Sequence, residues 1–149
     1  MMRCITIWQP YASLIIAGTK KIETRSWNTI IRGRIAIHAA RKRDSFSLGL
    51  MDTPEFQEGL KAYDTIGRGK TWITDINNTF GCIVGTVEIV DCRSLVRLAG
   101  SKYDTPKERA FGDWREGRWG WILRDPVLFE NPVPAKGTLG FWNWEALSS

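Results

Sequence analysis

The stretch that most constrains this chain is Gly81 to Cys92, where Ile83, Val84, Val87, Ile89 and Val90 leave almost no polar face. A β-strand so continuously apolar is buried on both sides. It therefore demands neighbouring strands, a covering layer and a core. Gly85 within it marks a bend or a close backbone approach. The spacing Gly81 to Gly85 is not a phosphate-binding loop, because the surroundings are strand-like and no helix follows at once. Around this strand fall several shorter β-like runs: Cys4 to Ile7, Ile35 to Ala39, Arg118 to Leu123, Val127 to Phe129 and Leu139 to Trp144. Asp125-Pro126 reads as a turn between two of them, and Asn131 to Gly137 as an extended, proline-rich segment. Residues 44–66 read as helical: Asp44 or Ser45 caps, Phe46 and Leu50 share a face, and a second start at Asp52-Thr53-Pro54 is followed by Phe56, Leu60 and Tyr63. Gly67 to Phe80 reads as a long surface loop, Ser94 to Leu98 as a helical turn, and Thr105-Pro106 as a capped helix start. At 149 residues, the expectation is one α+β domain, a small barrel of short mixed strands with flanking helices.

The densest polar chemistry falls between Trp8 and Trp27. Pro10 suits a helix start, Gln9 is a mediocre cap, and Leu14, Ile15 and Ala17 recur at helical spacing. Gly18 stands where a left-handed residue ends the helix. A strand then alternates, with Lys21, Glu23 and Arg25 on one face and Ile22 and Thr24 on the other. Lysines, a carboxylate, a guanidinium and two tryptophans within twenty residues exceed what a small core requires. The bland reading is an ion-pair network of Lys20, Glu23 and Arg25 that seals one end of the barrel. The functional reading, which we favour, is a cleft in which Lys20 and Arg25 meet a phosphate or carbonyl oxygen and Glu23 accepts an N–H from a base edge.

Charge is distributed unevenly. Residues 1–45 contain nine Lys and Arg against Glu23 and Asp44, whereas the remainder carries an acidic excess of two. A basic face able to attract a polyanion follows. Arg32, Arg34, Arg41, Lys42 and Arg43 are the expected contacts to a nucleic-acid backbone, on one shared rim. Of the eight tryptophans, most are expected in the core, with Trp8 and Trp27 the leading ligand-facing rings. His38, the single histidine, reads as a hydrogen-bonded strand-end residue rather than a general base. Cys4, Cys82 and Cys92 read as reduced core residues of a cytoplasmic protein, and their spacing with one histidine makes a zinc site improbable. No secretory signal or membrane span is expected, and no cofactor.

The pattern Trp8-Gln9-Pro10, Ala12-Ser13-Leu14, Gly18-x-Lys20-x-x-Glu23-x-Arg25-Ser26-Trp27, followed by Arg32-Gly33-Arg34, resembles the ASCH domain, a family named for homology to an activating signal cointegrator. The resemblance implies a PUA-like β-barrel over residues 1–149, with a helical and loop insertion at about 44–80. It also implies a ligand site at Trp8, Gln9, Pro10, Ser13, Lys20, Glu23, Arg25 and Trp27. Relatives include nucleic-acid-binding domains, ribonucleases and a small acylcytidine amidohydrolase. In the amidohydrolase relatives a lysine, aligned with Lys20, precedes a threonine nucleophile by three residues. Glu23 occupies that position here and Thr24 is one residue off, on the opposite face. A later acidic residue completes the relatives' site, and Glu108 and Glu116 are its candidate counterparts. The expectation is therefore a domain that binds RNA or DNA, including a modified base, through the basic cleft. The alternatives are a ribonuclease or nucleoside amidohydrolase, with Lys20 and Glu23 catalytic and His38 or Tyr11 moving protons, and a protein-interaction module of coactivator type.

Overall fold

The structure is a computed structural model that describes residues 1–66 and 71–145. Six strands form one sheet: β1 (Met2–Ile7), β2 (Ile22–Arg25), β3 (Gly33–Ala39), β4 (Cys82–Ser94), β5 (Trp119–Pro134) and β6 (Phe141–Trp144), in the order β2-β5-β4-β3-β1-β6. β1 and β3 run parallel and every other pair antiparallel. The doubly buried stretch is the middle of the sheet. β4 pairs on one side with β3 and on the other with β5, and Ile83, Val84, Val87 and Ile89 are buried. At Gly85 a Cβ would stand 2.1 Å from the Val127 carbonyl oxygen, so only glycine admits the approach of β5 there.

The expected closed barrel is not formed. Among the described residues, no strand pairs the outer edges of β2 and β6. The sheet curls far enough that Trp27, just past β2, packs edge-on against Phe141 of β6 at 5.7 Å between ring centres. The seam is therefore bridged by side chains and not by a ladder. The reason lies in β2, whose outward backbone groups already have partners. Lys20 Nζ donates to the Ile22 carbonyl at 2.6 Å, Glu108 Oε2 accepts from Ile22 N–H at 3.2 Å, and Arg118 Nη2 donates to the Thr24 carbonyl at 3.3 Å.

The helices are α1 (Tyr11–Ile16), α2 (Ser45–Gly49), α3 (Pro54–Ile66), α4 (Trp72–Asp75), α5 (Leu95–Leu98) and α6 (Pro106–Ala110). α1 buries Ala12, Ile15 and Ile16 against the sheet and Leu14 against Phe56 and Leu60 of α3, and Gly18 ends the turn at φ +82°. Gln9 holds the start of α1 more firmly than expected: Oε1 accepts from Ser13 N–H at 3.0 Å, while Nε2 reaches Ser13 and Thr79 hydroxyls at 2.9 Å each. Asp44 caps α2 and Thr105 caps α6, each accepting from the N–H three residues on.

Residues 44–66 are helical in two pieces, with a tight 3₁₀ turn at Leu50–Asp52 between α2 and the second start at Pro54. Phe46, on α2, is 75% exposed, and Leu50 is half-buried. Two local expectations change. The expected loop before β4 contains α4, capped by Thr71, and a 3₁₀ turn at Ile76–Asn78; Gly67 to Lys70 fall outside the described residues. Asp125-Pro126 is no hairpin turn. Asp125 takes φ +52°, the register with β4 shifts there, and β5 continues through to Pro134.

Candidate functional site

One large cleft, with a volume of about 1550 Å³, opens where the carboxyl ends of β1 and β3 meet β2 and the segment from Pro134 to Gly140. Its inner wall comes from β2 and the turn after α6. Glu23 is 7% exposed there, and Arg25 clasps its Oε2 through Nε at 3.1 Å and Nη2 at 3.0 Å. The same Nη2 donates to the Thr6 carbonyl at 3.1 Å, which fixes the guanidinium. Glu23 Oε1 has a looser partner, Lys20 Nζ at 3.7 Å. Thr24 also reaches this wall, and its hydroxyl accepts from Asp113 N–H at 3.1 Å. Arg118 completes the wall, donating to the Asp113 carbonyl and lying 3.6 Å from the Asp113 carboxylate.

Lys20 stands behind this wall, not in the cleft. Its ammonium is buried, donates to the Ile22 and Phe111 carbonyls at 2.6 and 2.7 Å, and faces Glu23. Burial pushes its pKa down, opposed by the carboxylates of Glu23 and Glu108. Glu108, on α6, accepts from Lys21 N–H at 2.6 Å as well as from Ile22. Burial pushes its pKa up, against those two N–H groups and the nearby Lys20 charge. Both residues hold the edge of β2 by its backbone. Glu116, the other candidate acid, is exposed.

Tyr11 lines the cleft beside Glu23, with Lys20 Nζ 5.7 Å from its ring centre. Burial first, then the carboxylates of Glu23 and Asp44, raise its hydroxyl pKa, so it stays a donor. His38 is buried in the opposite wall with both ring nitrogens engaged, Nδ1 with the Thr6 hydroxyl at 3.1 Å and Nε2 with the Ala135 carbonyl at 2.7 Å. A carbonyl only accepts, so Nε2 carries the proton and Nδ1 accepts from Thr6. Thr6 Oγ1 in turn accepts from Trp142 Nε1 at 3.0 Å. This relay ties the Pro134–Gly140 wall to β1 and β6.

The lip is different in kind. Trp8 is 44% exposed, with Lys42 Nζ 5.2 Å from its ring centre, and Arg43 stacks on Phe80 at 4.0 Å. Arg41 and Lys136 are exposed beside them. Among the described residues, none of Arg41, Lys42, Arg43 and Lys136 forms an ion pair within 4 Å.

The expected site residues thus separate into groups. Trp8, Glu23, Arg25, Arg41 and Lys42 come together at the cleft, with Arg43 beside it. Gln9 and Ser13 are buried in the start of α1, next to Pro10, and serve the fold. Trp27 packs edge-on against Trp121 at 4.8 Å and belongs to the core cluster, not the cleft. Arg32 and Arg34 sit at the far end of β3, so the single basic rim divides in two. Arg32 pairs with Asp91 at 3.4 Å, and Arg34 donates to the Thr86 hydroxyl and the Asp125 carbonyl. Lys136, Phe46, Phe80 and Arg118 are cleft residues that the sequence reading missed. A lone cation amid prolines and glycines before the last strand was the available signal for Lys136.

The known proteins agree on family. Residues 5–119 match the ASCH domain family. Over 143 residues the chain is 29% identical to activating signal cointegrator 1 of Mus musculus and, equally, of Homo sapiens. That similarity covers 96% of this chain but only 22% of each relative's length. A crystal structure of ASCH from Zymomonas mobilis aligns with 89% of this chain and 72% of its own, at a TM-score of 0.48 and 18% identity. No helix among the described residues is long and apolar enough to cross a membrane. With the family match running from β1 through β4 and on to the start of β5, the chain belongs to the ASCH domain family.

Proposed function

We propose that this chain binds nucleic acid through the cleft, with lip cations neutralising phosphates and Glu23 accepting an N–H from a base. The observation that carries this reading is the lip itself, where Lys42 stands over the exposed Trp8 ring and Arg43 over Phe80, with Arg41 and Lys136 exposed nearby and none of the four in an ion pair within 4 Å among the described residues. Guanidinium and ammonium groups outside close ion pairs and next to π faces suit a polyanion that also carries flat bases. The cleft exceeds the ~300–1,000 Å³ typical of small-molecule sites, which suits a polymer segment.

The test is oligonucleotide binding as salt is raised. Four phosphate contacts give a slope of log affinity against log salt of about −3 on a single strand and about −4 on a duplex. A slope near zero would sink the reading. Hydrolysis draws no support from the contacts: Lys20 and Glu108 are committed to backbone groups, His38 has both nitrogens engaged, and Thr24 accepts from Asp113 N–H.

A further inference from the structure

We infer that the cleft admits an unpaired nucleotide base-first and so selects single strands over duplex, an inference that rests on the nucleic-acid reading above. The charge arrangement from lip to inner wall carries it. At the lip, four cations are exposed and form no ion pair among the described residues. At the inner wall every charge already faces an opposite one: Arg25 is clasped to Glu23 at 3.0 Å with Lys20 behind it at 3.7 Å, and Arg118 stands 3.6 Å from Asp113, which Arg115 also holds. A phosphate moved from lip to wall leaves free cations for carboxylates whose cations are already engaged. It is therefore held at the lip. What enters is the neutral, hydrogen-bonding part of the nucleotide, and the wall is equipped for it. The Glu23 carboxylate accepts, and the Tyr11 hydroxyl, kept protonated by burial and by its acidic neighbours, donates.

Apolar contact lines the entry. Trp8 is 44% exposed, Phe46 75% and Leu139 99%, contributed by the β1–α1 corner, by α2 and by the segment before β6. The Trp8 and Phe46 rings, held in water, offer faces on which bases stack, and Leu139 adds aliphatic contact. In a duplex, stacked and paired bases expose only their edges, and the backbone meets the protein first. Glu23, at 7% exposure, is beyond the reach of such a backbone.

The experiment compares three fluorescein-labelled probes by anisotropy: a single strand of about eight nucleotides, a size that one such groove spans, the same sequence as a blunt hairpin duplex, and a strand of equal length made wholly of abasic residues. Base-first entry predicts that the base-bearing strand binds about tenfold or more tighter than either competitor, the scale of losing one to two stacked bases. Trp8→Ala and Phe46→Ala should each lower affinity for the base-bearing strand and leave the abasic strand unchanged, and Trp8→Phe should restore most of the loss. Both side chains are exposed, so folding is not at stake. Equal binding of duplex and single strand, or of abasic and base-bearing strands, overturns the inference while leaving salt-dependent binding in place. If no probe binds at all, the nucleic-acid reading itself falls, and this inference with it.

Discussion

Lys20 and Lys42 carry the same charge in the same basic segment, yet they occupy opposite physical situations. Lys20 is buried, with two carbonyls and a carboxylate around its ammonium. Lys42 is exposed at the lip, against the face of Trp8. A buried charge is tolerated only when its protons are satisfied, so Lys20 is committed to the fold. An exposed charge outside any close ion pair costs little to keep and remains available to a ligand. Basic residues in this protein thus divide by what their protons already touch and not by their position in the motif.

The sharpest way to break that contrast is Lys20→Met, which keeps the length of the side chain and removes its charge. Two carbonyls lose their donor and Glu23 keeps only Arg25, and unfolding in urea should show a loss of about 3–5 kcal/mol, the usual cost of stranding one side of a buried charged cluster. A loss below about 1 kcal/mol would mean that Lys20 is not structural. The lip should behave in reverse. Joint reversal of Arg41, Lys42 and Lys136 to glutamate should weaken nucleic-acid binding about 10²-fold or more at low salt, with a melting temperature within about 2 °C of the parent, as for exposed substitutions.

Glu23 tests the boundary between the two regions, since it is held from behind by Lys20 and open in front. Glu23→Ala should cost about 1–3 kcal/mol of binding and Glu23→Gln less, because one acceptor oxygen remains. Calorimetric titration with a single-stranded oligomer gives the order. Unchanged affinity in both variants, with a lower melting temperature, would make Glu23 part of the frame alone.

Some of this division is legible in the sequence. Asp44 and Thr105 announce their helices because a cap and its N–H are three residues apart, and Gly85 announces a close approach because nothing else in that strand is small enough. The commitment of Lys20 is not legible. Its partners include Phe111, and Glu108 caps the edge that Lys20 also holds, so both contacts depend on how distant segments are folded together. Phe46 misleads for a simpler reason: helical spacing marks a face shared with Leu50 but not whether that face is covered, and Phe46 is left exposed on the lining of the cleft. Asp125-Pro126 misleads for a non-local one, since pairing with β4 carries β5 through a dipeptide that in isolation turns.

A smaller effect sharpens the inner-wall side of the comparison. The hydrogen bond from Arg115, with further help from the Arg115 N–H and the Arg118 charge, holds the Asp113 carboxyl at about 2 against an ordinary 3.8. A depressed carboxylate pKa contributes stability that is complete above the ordinary value and lost as pH falls through the folded one. Asp113→Asn should therefore be less stable than the parent above about pH 4, and the gap should close between about pH 4 and pH 2. Thermal melts across that window measure it, and a gap independent of pH would refute the assignment. Smallest of all is the far end of β3: Arg32→Ala and Arg34→Ala should leave nucleic-acid affinity within about twofold, because neither is placed to meet a phosphate held at the lip.

The occupied outer edge of β2 bears on solubility as well as on the fold. A bare strand edge is a template on which another chain can add a strand, and repeated addition yields aggregates. In β2 the Ile22 N–H, the Ile22 carbonyl and the Thr24 carbonyl are taken by Glu108, Lys20 and Arg118. These three side chains therefore act as guards against self-association. Loss of Glu108 would present unsatisfied donors at the margin of a twisted sheet, and the damaged protein would recruit its own copies before it finished unfolding.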